Sequence, residues 1–70
     1  MVKKEVALQV QRRGLNAIIE LMSILDEVKD HCGDEDFDVI KRGVGLSVGR
    51  IQTALLDPIY KQHPEIDDLR

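Results

Sequence analysis

The residues best suited to chemistry are crowded into one short stretch near the middle of the chain. His31 and Cys32 stand side by side, and a run of carboxylates follows them. Those carboxylates are Asp34, Glu35, Asp36 and Asp38. Zinc sites ordinarily take four ligands from spaced pairs such as Cys-x-x-Cys. The acidic run also lacks the Gly and the downstream Glu of a calcium-binding loop. We therefore predict a solvated, acidic helix start and no metal or other cofactor.

The same stretch offers a thiol next to a basic imidazole. Adjacent residues rarely point at each other, and no third group is present to orient the base. We expect the other histidine, His63, to lie at the surface in a Pro-flanked turn. The sequence thus holds no acid–base or nucleophile constellation and predicts a protein that is not an enzyme. A metal- or redox-linked protein working through His31 and Cys32 is kept as an alternative.

Length and composition limit the class of protein. The chain has 70 residues, of which 43% are hydrophobic and 33% charged, and its net charge is −3. These values exclude a disordered chain and leave room for one domain, residues 1–70. No apolar run approaches the roughly 20 residues of a transmembrane helix, so we expect neither a membrane partner nor a signal peptide. A single Cys allows no internal disulfide, which favours a cytoplasmic location.

Basic residues are concentrated in the first thirteen positions. Lys3, Lys4, Arg12 and Arg13 give that segment a net charge of +3. A basic helix can contact nucleic acid, so a nucleic-acid-associated dimer is a second hypothesis. However, the whole chain is acidic, and no aromatic residue lies near these side chains to stack on bases. We therefore expect a solvated helical face and no nucleic-acid partner.

Hydrophobic periodicity predicts a first helix over about residues 3–29. The segment contains no Pro, and Gly14 is its only Gly. One apolar stripe comprises Leu8, Leu15, Ile18, Met22 and Leu25, and a second comprises Val10, Gly14, Ala17, Leu21, Ile24 and Val28. Together they cover about half of the helix, which predicts two partner helices. One broad face turned to a single core is the alternative.

A second helix is predicted over about residues 35–56. Gly33 suits the left-handed position that ends a helix, and Asp34 suits the N-cap of the next one. The core stripe of this helix is Phe37, Ile40, Val44, Val48, Ile51, Leu55 and Ile59. Because the connection is short, the two helices should form an antiparallel hairpin.

The second helix is rich in glycine. Gly43, Gly45 and Gly49 lie within eight residues, and each costs up to about 1 kcal/mol relative to Ala in a helix interior. We predict that Gly45 and Gly49, one turn apart, allow a facing helix to approach closely. A loop at residues 43–45 is the alternative.

Two prolines, Pro58 and Pro64, interrupt the tail at residues 57–70. Each can open a short new turn. The apolar residues Ile59, Tyr60, Ile66 and Leu69 can then fold the tail back over the hairpin.

The runs over residues 43–52 and 55–69 resemble the C-terminal part of small uncharacterised bacterial proteins of about this length. The resemblance implies a bacterial source and a helical fold. It carries no known activity and no site residues.

The sequence therefore predicts an all-α protein, an antiparallel two-helix hairpin with a short tail that dimerises into a four-helix bundle. At this size the balance of burial and chain entropy lies near zero, so association is the remaining way to secure the fold. The expected dimer or helix contacts are Leu15, Ala17, Ile18, Leu21, Met22, Ile24, Leu25, Val28, Val44, Gly45, Val48, Gly49, Ile51 and Leu55. We expect a small bacterial homodimer that acts as an adaptor or regulator, and a further protein partner is left open. The acidic hairpin tip and the basic open end favour a dimer with its tips at opposite ends.

Overall fold

The computed structural model describes residues 1–69, with side chains through Asp67. Helix α1 spans Lys4–Val28 and helix α2 spans Asp34–Arg50. A π-helical segment, Ile51–Leu56, continues α2 into the short helix α3, Asp57–Gln62, and a 3₁₀ segment, Pro64–Leu69, ends the described chain. No strand occurs in this part of the chain, and the predicted all-α hairpin is confirmed.

The turn between α1 and α2 differs from the prediction at Gly33. Gly33 has φ −72° and ψ 171°, which is extended backbone, and it is the N-cap of α2. Its carbonyl accepts a hydrogen bond from the amide of Phe37 at 2.9 Å. Asp34 is consequently the first helical residue, where its charge still favours the helix N-terminus. A left-handed Gly33 is therefore wrong, because the turn through residues 29–32 already reverses the chain.

Helix α2 runs without a break through its three glycines. The alternative of a loop at residues 43–45 is therefore wrong. The irregularity comes later, where the amide of Asp57 donates to the carbonyl of Gln52, five residues back. Such a π turn commonly occurs as a single local insertion within an α-helix.

The π-helical segment changes which leucine enters the core. Leu55 was predicted on the core stripe, but it is 43% exposed, and Leu56 is the buried residue at 1%. Because a π turn takes in one extra residue, the core position after Ile51 moves from 55 to 56. Pro58 follows directly, and its ring would clash with the carbonyl four residues before it in a regular helix. The π-helical segment thus lies where the proline disfavours a regular α-helix.

The tail folds back over the N-terminal half of α1. Ile59, Tyr60 and Ile66 pack with Ala7 and Leu56 in one buried cluster. The side chain of Leu69, which was predicted to join them, lies outside the described part. The molecule measures 45 × 17 × 16 Å, so the hairpin extends well beyond this cluster. We call residues 2–14 with 56–67 the core end, residues 15–55 the arm, and residues 26–38, where the hairpin turns, the tip.

Candidate association surface

The core end is the part of the molecule with its own hydrophobic core. Ala7 is fully buried on α1, and Leu56 packs beside it from the π-helical segment. Ile66 of the 3₁₀ segment supplies a third layer over these two elements. This is the three-sided packing that a two-helix hairpin alone cannot provide.

Gln11 links α1 to the tail through hydrogen bonds of its side chain. Its side-chain amide donates to the carbonyl oxygen of Ile66 at 2.8 Å and to the hydroxyl of Tyr60 at 3.3 Å. Gln11 is 4% exposed, and a buried amide without partners would be costly. The sequence interpretation missed this residue. Its spacing could have revealed it. Ala7, Gln11 and Gly14 follow one another at intervals of four and three, so they lie on one face of α1.

His63 ties the first residues of the chain to the tail. Its Nε2 lies 2.6 Å from the carbonyl oxygen of Val2, and its Nδ1 lies 3.4 Å from Oε2 of Glu65. The amide of Val2 donates to Oε1 of Gln62 at 2.9 Å. His63 was expected at the surface, but its side chain is only 15% exposed. Its neighbours in space are distant in sequence, which is why the local pattern did not reveal them.

Glu65 also takes part in the contact between the N-terminus and the tail, through His63 and Lys4. Its pKa lies below the ordinary value of 4.5, chiefly because its carboxylate accepts a hydrogen bond from its own backbone amide. Partial desolvation opposes that shift. The hydrogen bond with His63, the charge of His63 and the charge of Lys4, whose Nζ lies 4.0 Å away, favour it. The carboxylate is exposed and charged at neutral pH.

Gly14 is the glycine at which two helices approach closely within the chain. A Cβ at this position would lie 2.8 Å from Cδ2 of Leu56, closer than carbon atoms pack. At Gly45 and Gly49 a Cβ would meet no atom within 4 Å. The close approach inside the hairpin therefore uses Gly14. A contact of Gly45 and Gly49 with another molecule stays a prediction.

The arm has almost no core of its own. Between Leu15 and Leu55, Val44 is the one buried residue, and it is still 7% exposed. Large apolar side chains face outward instead: Leu46 is 74% exposed, Val39 69%, Ile19 66% and Met22 53%. Two helices side by side can cover only one flank of each other, so the remaining flanks stay open.

One flank of α1, exposed except at the half-buried Leu15, forms a continuous surface, which we call the α1 stripe. Its residues follow one another at intervals of four and three: Leu8, Arg12, Leu15, Ile19, Met22 and Asp26. Residues at these intervals lie on one face of a helix. Part of the stripe lines a shallow groove formed by Ile19, Met22, Ser23, Leu25 and Asp26. The stripe is apolar in the middle, basic toward its N-terminal end and acidic at its C-terminal end.

The predicted contact residues lie along the arm at different depths. Val44 is buried and Ala17, Met22, Gly45 and Leu55 are exposed. Half-buried positions are Leu15, Ile18, Leu21, Ile24, Leu25, Val28, Val48, Gly49 and Ile51. The half-buried members on α1 include residues of both predicted stripes. The seam inside the hairpin therefore runs between the two stripes, starting from Ala7, Gln11 and Gly14.

The tip residues do not converge on a common centre. His31 is exposed, and the thiol of Cys32 donates to the carbonyl of Val28 at 3.3 Å. Within the described residues, no three His, Cys, Asp or Glu side chains come together as a metal site would require. The basic side chains at positions 3, 4, 12 and 13 are all exposed.

No protein-family model, no curated protein and no solved structure matches the chain. Among the described helices, none combines the length and the apolarity needed to cross a membrane. The fold and the surface thus define the chain as an all-helical hairpin with one closed end and one open arm.

Proposed function

We propose that this chain works by association, and that two copies pair through their arms into a four-helix bundle. The observation that carries the proposal is the surface area. The chain exposes 5387 Å², whereas a monomer of 7.9 kDa ordinarily exposes about 4,400 Å². The excess of roughly 1,000 Å² is close to the ~800 Å² that each partner contributes to a standard interface.

The shape of the molecule supports the same interpretation. Its radius of gyration is 14.7 Å, compared with about 11 Å for a compact domain of 70 residues. A second hairpin laid along the arm would give each helix the neighbour that its apolar flank lacks. In such a bundle the α1 stripe and the half-buried residues beside it would become core.

The partner best suited to this surface is a second copy of the chain. A helix whose apolar face is wider than one seam needs two neighbours, and a hairpin supplies one. The open space beside Gly45 and Gly49 would allow a further helix to approach. We assign no catalysis to the chain and propose the role of a small adaptor or regulator in a bacterial cytoplasm.

The test is the oligomeric state of matched variants. Sedimentation equilibrium at tens of micromolar should give the mass of a dimer. Met22→Glu places a charge in the middle of the α1 stripe and should raise the dimer dissociation constant about tenfold or more, because burying an unpaired carboxylate is costly. Arg13→Glu also introduces a carboxylate, but on the polar face of α1 outside the stripe, and should change that constant less than about twofold.

Circular dichroism of both variants checks that the hairpin still folds. A wild-type chain that sediments as a monomer at these concentrations would refute the proposal. So would equal effects of Met22→Glu and Arg13→Glu, since the interface would then lie elsewhere.

A further inference from the structure

Charge is unevenly distributed along the long axis of the molecule. The tip carries seven acidic side chains and one basic one, whereas residues 1–13 carry a net charge of +3. Helix α1 connects these two regions, and the molecule is 45 Å long. Each copy therefore has an acidic end and a basic segment near its other end.

The α1 stripe repeats this polarity on the surface that a second copy would cover. Arg12 lies one turn from Leu8 and Leu15, and Asp26 lies one turn from Met22. Both charged side chains are exposed, and Asp26 forms part of the rim of the groove beside Ile19 and Met22. Read in opposite directions, two such stripes match, because apolar residues meet in the middle and opposite charges meet at both ends.

We propose that the two copies pair with their tips at opposite ends, α1 against α1, so that Arg12 of each copy faces Asp26 of the other. This inference rests on the proposed dimer and specifies its geometry. With the tips together, the two acidic tips would be adjacent and like charges would repel. A single exposed ion pair is weak, but the two-fold symmetry repeats it, and like-charge contacts penalise the alternative.

A charge-swap cycle tests the contact. Arg12→Glu alone and Asp26→Lys alone should each raise the dimer dissociation constant about five- to tenfold, and the double variant Arg12→Glu/Asp26→Lys should return it to within about threefold of wild type. Arg13→Glu is the matched control, because it makes the same charge change next to Arg12 but outside the stripe. It should change the constant less than about twofold. Independent, additive effects of the two swaps would overturn the proposal.

A distance measurement tests the orientation separately. Spin labels at Cys32, the one thiol of the chain, should lie at a separation on the order of the 45 Å long axis. A mixed dimer with one label at Cys32 and the other at Val6→Cys, in a Cys32→Ser background, should give a short distance. A short distance between the two Cys32 labels would mean that the tips meet and would overturn the orientation while leaving the dimer intact. A monomer in sedimentation would instead refute the proposed function itself.

Discussion

Helix α1 runs through both the core end and the arm, but the two regions are stabilised differently. At the core end, α3 and the 3₁₀ segment add a third layer, so that Ala7 and Leu56 are fully enclosed. Along the arm there are only two helices, and Leu46 and Ile19 remain largely exposed. The comparison shows that apolar side chains form a closed core only where a third element covers the helices.

The glycines divide in the same way. Gly14 lies where Leu56 is pressed against α1, whereas the glycines of α2 face open space within the chain. A glycine at a close contact is required for packing, and an uncontacted glycine in a helix only weakens that helix. The two regions therefore predict opposite results for the same kind of substitution.

The largest expected difference is between two leucines. Leu56→Ala removes an enclosed side chain and should lower the free energy of unfolding by about 3 kcal/mol, a large part of what a domain of this size possesses. Leu46→Ala on the arm should change it by less than about 0.5 kcal/mol. Urea denaturation at a protein concentration below dimerisation measures both. Similar losses for the two variants would show that the arm is as well packed as the core end.

A second comparison uses alanine at the glycines. Gly14→Ala should destabilise by about 1–2 kcal/mol, because overpacking against Leu56 outweighs the gain in helix propensity. Gly43→Ala should stabilise by about 0.5–1 kcal/mol, since nothing obstructs its methyl group. Thermal unfolding of the dilute protein gives both values. Stabilisation by Gly14→Ala would mean that Leu56 can move away from the new methyl group without a loss of packing energy.

The same series sharpens the comparison at Gly49. In the dilute monomer Gly49→Leu should be tolerated, as the space around this residue is open. At dimer-forming concentrations it should weaken association if another helix approaches there. A higher melting temperature at every concentration would show that Gly49 is not at a contact.

The smallest expected effect concerns pH at the core end. The pKa of Glu65 is lowered in the folded chain, so its contribution to stability is present above its unfolded value near 4.5 and is lost as the pH falls through the folded pKa. The stability difference between wild type and Glu65→Gln should therefore be complete at pH 6 and vanish in stronger acid. Glu20→Gln, an exposed carboxylate on the arm, serves as the control. A difference that does not change between pH 6 and pH 3 would contradict this role of Glu65.

Much of the fold could be predicted from local sequence. The four-and-three periodicity of apolar residues and the absence of Pro from residues 3–29 indicated α1, which begins and ends within one residue of the expected positions. Pro58 and Pro64 marked where elements change. Their effect is local, because a proline restricts its own backbone and that of its immediate neighbour.

Other features depend on residues that are far apart in sequence. Leu56 is buried in a cluster with Ala7, and Gln11 hydrogen-bonds with Tyr60 and Ile66; each of these partners lies about fifty residues away in sequence. The imidazole of His63 likewise hydrogen-bonds with the carbonyl of Val2, at the opposite end of the chain. No pattern within a single helix contains this information.

The sequence by itself thus determined the helices, the hairpin, the uneven charge and the excess of apolar surface on α1, because each depends on composition and periodicity along a continuous segment. Only the tertiary structure decided which glycine lies at a close contact, which leucine is buried, and that the core forms at one end. These outcomes depend on how the tail packs against α1, since burial is a property of the space between elements and not of any one of them.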